Sequence, residues 1–281
     1  MLNRRKFLAL SAAAWPAMAL GAGKHIPLGV QLYTIRSLVK DNNLLALLKQ
    51  IRAIGYEEVE LYSDLYTKHT ASELSTALRR ARLLAVSGHF NYDDFVSKIP
   101  YARRLGLKWM VCPMLPKAQW GSPEGFRRAA AAFNQWGKQC QQHGMRFAFH
   151  NHNYEFQDLK GTTGFDILLK ETDPDLVWLE LDTYWITQAG RNPVLLLNQL
   201  GRRVRLLHLK DRQAGFPTSQ VLDDSAAHFT EVGNGTIAWR PLLALAQKLG
   251  IEHYFVEQDK SDKSPMDSLK ISYSFLRKIL N

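Results

Sequence analysis

The chain has 281 residues, 46% of them hydrophobic and 11% aromatic, and carries a formal charge of +10 at pH 7. That much apolar material suits a large globular core rather than a short module. Two cysteines are too few for a disulfide scaffold, and no apolar run beyond the N-terminus reaches the roughly 18 residues of a membrane span.

The N-terminus reads as a separate object. Arg4-Arg5-Lys6-Phe7-Leu8 precedes an apolar run from Ala9 to Leu20, with small residues for cleavage after Ala19 or Ala22. A charged head followed by a short apolar stretch is the layout of an export signal, and paired arginines before Phe-Leu resemble the twin-arginine type. An ordinary secretory signal or an uncleaved anchor is the plainer alternative. The expectation is a signal over 1–22, one domain over 23–281, and a periplasmic or otherwise exported protein that meets the membrane only during export. The other basic residues are scattered, as at Arg79-Arg80, Arg103-Arg104 and Arg202-Arg203. Such dispersal fits solvated helix faces and gives no nucleic-acid signature.

From residue 27 onward, short β-rich runs alternate with amphipathic stretches. Strand candidates are PLGVQLY (27–33), EEVELY (57–62), LLAVSGH (83–89), KWMVCP (108–113), FAFHNH (147–152), VWLELD (177–182), RLLHLKD (205–211) and YFVEQD (254–259). Helical patterns between them include 43–55, 71–81, 123–144 and 239–250, several closed by glycine as helix ends prefer. Sustained alternation implies a parallel sheet with right-handed crossovers. Eight such units fit a single α/β domain, a (β/α)8 TIM barrel. Cys112 follows an apolar run and reads as a small core residue, although one disulfide with Cys140 is open to an exported protein.

The last four runs carry the chemistry. His150/His152, Glu180/Asp182, His208/Lys210 and Glu257/Asp259 each stand two apart near a strand end. Side chains two apart share a face of a strand, so in a closed barrel eight ligating or proton-moving groups converge at one mouth. Any one of them alone is more often a satisfied core residue. Four coincidences outweigh that, because buried charges are costly unless paired or metal-bound. Earlier strands add Gln31, Tyr33, Glu58, Glu60, His89 and Pro113, of which Glu60 and His89 are the better substrate contacts. The segment EVGNGTIAW, with Glu231, is a glycine-rich loop entering a helix, either substrate-contacting or plain turn chemistry. The 40-odd residues between the last two barrel strands are long enough for a lid.

GVQLYTIR, GYEEVELY, SGHF, FHNHNYEF, ELDTYW, HLKD and VGNGTIAW, in this order from residue 28 to about 275, resemble the xylose isomerase-like TIM barrel family of sugar phosphate isomerases and epimerases. Similar members include inosose dehydratase, ketose 3-epimerases and enzymes that hydrate or eliminate 3-keto sugars and 3-keto-glycosides; the endonuclease IV group shares the barrel. The resemblance implies one divalent ion held from the last four strands, by Asp182, His208 and Glu257. In the remaining place many epimerases have Glu, whereas this chain has His150, with His152 or Glu155 as rivals, which weighs against plain 3-epimerisation. Mixed imidazole and carboxylate ligation suits Mn²⁺ or Co²⁺ first, with Zn²⁺ or Mg²⁺ as alternatives. Expected acid–base residues are His152, Glu155, Glu180 and Lys210; expected substrate contacts are Glu60, His89, Trp185 and Glu231; Asp211 and Asp259 are expected to support them or cap helices. The leading reading is an exported metal-dependent enzyme that isomerises, epimerises, eliminates or hydrates an unphosphorylated sugar or glycoside through an enediolate. A non-catalytic sugar-binding barrel is the second reading and a nuclease a remote third. A homo-oligomer is compatible with the sequence.

Overall fold

A computed structural model describes residues 25–280 apart from 41 and 224–226; the expected export segment, 1–22, lies outside the described residues. In chain order, β1 (Leu28–Gln31) leads through α1 (Leu44–Ile54) to β2 (Glu58–Leu61), then α2 (Ser63–Lys68) and α3 (Ala71–Ala81) to β3 (Leu84–His89). α4 (Ile99–Leu105), β4 (Trp109–Cys112), α5 (Pro123–Gln142), β5 (Arg146–His150), α6 (Gly164–Glu171) and β6 (Val177–Asp182) continue the alternation. α7 (Thr183–Gln188) and α8 (Pro193–Leu200) precede β7 (Val204–Leu209), a ribbon of β8 (Asp211–Arg212) with β9 (Phe229–Thr230), α9 (Trp239–Leu249), β10 (His253–Val256) and α10 (Pro265–Leu280). The strands other than the ribbon close into one parallel barrel in the order β1-β10-β7-β6-β5-β4-β3-β2, as the alternation requires. No helix among the described residues is long and apolar enough to cross a membrane.

Local chemistry explains why these segments settle as they do. Thr70 and Glu73 form a reciprocal capping box at the start of α3, while Leu74, Leu78 and Ala81 bury one face of the helix. Losing such a cap costs about 1 kcal/mol. α5 starts at Ser122, whose hydroxyl accepts from Gly125 N, followed by Pro123. It buries Phe126, Phe133, Trp136 and Cys140, each large aromatic worth roughly 2–3 kcal/mol of apolar burial. Cys140 and Cys112 are both free thiols in the core, so the sequence's allowance for a bridge is not used.

Inside the barrel, Trp109, Val111, Ala148, Leu206 and Phe255 pack into a floor. Gly29 gives Phe255 its place: a Cβ there would stand 2.4 Å from the ring. Above this floor the interior turns polar. Two register shifts accompany the change, one between Val59 and Glu60 on β2 and one between Leu179 and Glu180 on β6. The extra residue lies on the neighbouring strand each time, Val86 on β3 and Arg205 on β7, so β3 and β7 are the strands that bulge beside Glu60 and Glu180.

Candidate active site

The C-terminal mouth opens a cleft of about 520 Å³, lined among others by His89, His150, His152, Trp185, Lys210, Glu257 and Asp259. Six of the expected site residues therefore meet in one cavity. Glu60, Glu180, Asp182 and His208 lie directly beneath, all 0% exposed. The strands end earlier than the sequence runs suggest, so His152, Lys210, Glu257 and Asp259 stand just past them; the in-facing alternation nevertheless carries on.

One group gathers at the rim. Asp182 Oδ1 accepts from Trp185 N at 2.9 Å and caps α7, while Oδ2, buried, accepts no hydrogen bond. His208 Nδ1 stands 2.9 Å from Glu257 Oε2 and 3.9 Å from Asp182 Oδ2. Ligand atoms about 2.1 Å from a cation lie about 3 Å apart when adjacent and about 4 Å apart when opposite. Asp182 Oδ2, which faces the Lys210 ammonium at 3.2 Å, and these spacings fit a divalent ion between Asp182, His208 and Glu257. His150 offers Nε2 at 4.0 Å from Asp182 Oδ2 but turns Nδ1 to Glu180 at 3.1 Å, so it faces two clusters rather than only the rim. Lys210 Nζ sits among three carboxylates, 2.7 Å from Glu257, 3.0 Å from Asp259 and 3.2 Å from Asp182. Burial would lower its pKa, but these neighbours raise it well above the ordinary lysine value. Burial lifts the Asp259 carboxyl to about 6 against the pull of Lys210. Burial would likewise raise Glu257, yet Lys210 and His208 hold it well below the carboxylate range.

A deeper group is built around Glu60 and Glu180. Glu60 accepts from Gln31 Nε2 at 2.8 Å and from the Ser87 hydroxyl, and faces His89 and His208. Despite burial, those two imidazoles keep its carboxyl far below the usual range. Burial opposes a charge on His89, yet Glu60 and Glu180 push it up to about 9. Glu60 lies under the cleft, not on its wall, so the expected substrate contact is instead a partner of two histidines.

The loop after β5 is tied residue by residue. Asn151 Oδ1 accepts from Asp182 N at 3.1 Å, Asn153 Nδ2 donates to Ser219 O and Val221 O at 2.9 Å, and Tyr154 OH accepts from Leu115 N at 3.1 Å. Glu155 accepts from His152 N with both oxygens, at 3.0 and 3.1 Å. Fully buried and absent from the cleft wall, Glu155 holds the loop rather than reaching a bound molecule, and burial lifts its carboxyl to about 8. His152 is thereby presented to the cleft, its Nδ1 buried without a partner, its pKa lowered to about 3 by burial and by Lys210. The Trp185 ring lies 5.2 Å from that of His152, with Nε1 also unpartnered.

Asp211 is structural. Its carboxylate accepts from Gly233 N, Gly235 N, Ile237 N and Trp239 Nε1 and so fixes the glycine-rich loop. A Cβ on Gly235 would meet Asp211 Oδ1 at 2.2 Å, which explains the second glycine. Glu231 turns away from the cleft to Ser261, Lys263 and Asn234; turn chemistry, not substrate contact, is what its geometry supports. The stretch between β7 and β10 holds the ribbon, this loop and α9, and brings Leu222 and Asp223 to the cleft.

Arg36, which sequence reasoning missed, meets Asp259 of the neighbouring strand end at the mouth. It stacks on Tyr33 at 3.8 Å, donates to Asp259 O at 2.7 Å and lines the cleft with Tyr62 and Asn91. Its position at the end of the GVQLYTIR run is the only signal the sequence holds for it.

Fold and mouth together define a barrel enzyme with a buried imidazole–carboxylate centre suited to a divalent cation. The chain belongs to the xylose isomerase-like TIM barrel family, whose model matches residues 48–279. It is 27% identical over 215 residues to the inosose dehydratase of Mesomycoplasma hyopneumoniae strain 7448, a match spanning 68% of this chain and 71% of that protein. The crystal structure of a sugar phosphate isomerase/epimerase from Parabacteroides distasonis ATCC 8503 superposes with a TM-score of 0.75 at 24% identity, covering 92% of this chain and 95% of the other. The IolI protein with a bound zinc atom superposes at a TM-score of 0.68 and 14% identity, covering 91% and 98%.

Proposed function

We propose that this protein is a divalent-cation-dependent sugar lyase or dehydratase that removes a proton from the carbon beside a carbonyl in a keto sugar, keto-glycoside or cyclic polyol ketone; isomerisation or epimerisation is the alternative outcome of the same step. The observation that carries this is the convergence, at one cleft and directly beneath it, of Asp182 Oδ2, His208 and Glu257 beside an unpartnered His152 nitrogen and the Lys210 ammonium. Names of curated relatives favour dehydration over epimerisation, as does His150 in place of a carboxylate.

Asp182, His208, Glu257 and His150 would hold the ion. A cation held there supplies electrostatic stabilisation of negative charge growing on the substrate's carbonyl oxygen. His152, neutral and with a free nitrogen, is placed to accept the proton, and Glu155 fixes its backbone while Trp185 flanks its ring. Lys210 is placed to hold or protonate the departing or neighbouring oxygen, with Asp259 steadying its ammonium. Glu180 braces the His89, His150 and His208 imidazoles from below. Loss of a β-hydroxyl as water then gives an enone, whereas return of a proton gives an isomer or epimer.

The twin-arginine-like segment supports export, and the glycine-rich loop, pinned by Asp211 and not on the cleft wall, supports an unphosphorylated substrate. Incubating the Mn²⁺- or Co²⁺-loaded protein with inososes, 3-keto-glucosides and free ketoses, and identifying products by NMR, tests the reading. A dehydrated product from at least one of them is expected; tight binding of sugars with no conversion of any would reject it. Arg4→Lys/Arg5→Lys should keep the protein in the cytoplasmic fraction, and unaltered export would reject the twin-arginine route.

A further inference from the structure

Beneath the rim, four contacts between nitrogen and oxygen close a ring. Glu60 Oε2 lies 3.1 Å from His89 Nε2, which lies 2.8 Å from Glu180 Oε2. That oxygen is 3.2 Å from His208 Nε2, which returns to Glu60 Oε2 at 2.6 Å. An imidazole nitrogen carries at most one proton. Between ionised carboxylates, then, two Nε2 atoms supply at most two protons for four close contacts. Gln31 already donates to Glu60 Oε2 from outside the ring, and Glu180 Oε1 is buried with no partner. Hydrogen bonding alone leaves this arrangement short of protons.

Donor atoms about 2.1 Å from a divalent transition metal lie about 3 Å apart when adjacent, and the four edges of this ring, 2.6 to 3.2 Å, match that spacing. His150 Nδ1, 3.1 Å from Glu180 Oε2, stands within reach as a further ligand. The barrel pairing slips by one residue beside each carboxylate, with Val86 of β3 extra opposite Val59–Glu60 and Arg205 of β7 extra opposite Leu179–Glu180.

We propose that Glu60, His89, Glu180 and His208 form a second divalent-cation site below the rim. Two imidazoles and two carboxylates suit Zn²⁺, Co²⁺, Fe²⁺ or Mn²⁺ and disfavour Ca²⁺ and Mg²⁺. His208 turns Nε2 to this ring and Nδ1 to Glu257; one imidazole joins the two sites and gives up both ring protons when both are filled. The sugar chemistry proposed above does not depend on this site.

The test uses the full chain, stripped with chelator, dialysed against CoCl₂ and assayed for metal content, with melting curves to confirm folding. Two equivalents per chain are expected. Glu60→Gln and His89→Gln should each fall to one, Asp182→Asn/Glu257→Gln should lose the other, and His208→Ala should weaken both. In wild-type crystals, anomalous scattering at the cobalt edge should place a peak inside the ring; this readout stands even where a variant fails to fold. One equivalent lost in Glu60→Gln but kept in Asp182→Asn/Glu257→Gln would support the ring and count against an ion at the rim. A single equivalent that Glu60→Gln and His89→Gln leave untouched, or crystals with no peak in the ring, would overturn the proposal.

Discussion

The two ends of the barrel treat charge differently. At the floor, Arg146 grips Glu252 through two hydrogen bonds of 2.8 and 2.6 Å and lies 3.9 Å over the Trp109 ring, while His253 meets Glu58 at 2.8 Å. Buried atoms there without a hydrogen bond include the donors Trp109 Nε1 and Arg205 Nε. At the mouth they include two carboxylate oxygens, Glu180 Oε1 and Asp182 Oδ2, and the ring nitrogen His152 Nδ1. A buried polar group left unpaired costs about 1–3 kcal/mol. The floor thus pairs its carboxylates with donors, whereas the mouth leaves Glu180 Oε1 and His152 Nδ1 without a hydrogen bond and sets Asp182 Oδ2 against the Lys210 ammonium at 3.2 Å.

Variants at the two ends should separate function from stability. The largest effect is expected from Asp182→Asn and Glu257→Gln: turnover on any substrate found should fall by about a thousandfold or more, some 4 kcal/mol of barrier, with the melting temperature little changed. A large loss of stability with normal activity would reverse the comparison. Next comes Glu155→Gln. Burial raises the folded-state pKa of Glu155 to about 8, so the folded chain keeps a proton that the unfolded chain releases near pH 4.5. Stability should therefore fall as pH rises from about 4.5 to about 8, by at most about 1.4 kcal/mol per pH unit. Denaturant titrations across that window should show the slope in the wild type and its flattening in Glu155→Gln.

Arg146→Ala should act the other way from the mouth variants. Its side chain is 40% exposed, so solvent screens the ion pair and the expected cost is about 1 kcal/mol, including the lost stacking on Trp109. Thermal melts should drop by a few degrees, with kcat/KM unchanged; a lost activity would show that the floor feeds the site. Trp185→Phe is expected to do least, raising KM several-fold by removing the indole N–H from the cleft while kcat is largely kept, a split that steady-state kinetics reads directly.

Much of this architecture is legible in the amino-acid order. Alternation of β-rich and amphipathic runs marks all eight barrel strands, and polar pairs two residues apart at the ends of four runs mark the mouth. Period-two reasoning survives even where the strands stop short, since His152, Lys210 and Glu257 still line the cleft. It cannot foresee the shifts at Glu60 and Glu180, because a bulge changes register without changing residue type. Nor can it show that Glu155 folds back onto the His152 amide, that Glu231 turns to Lys263, or that Arg36 leans across from the end of β1 onto Asp259. Each of those depends on how loops settle and which segments meet, which composition and spacing do not record.

The most direct test of the mouth as a proton-abstracting cation site is exchange of the hydrogen beside the carbonyl of a bound keto sugar in D₂O, followed by NMR. Incorporation of deuterium by the Mn²⁺-loaded wild type, abolished by chelator and by Asp182→Asn, is the expected result. Exchange that proceeds equally in chelator and in Asp182→Asn would contradict the account.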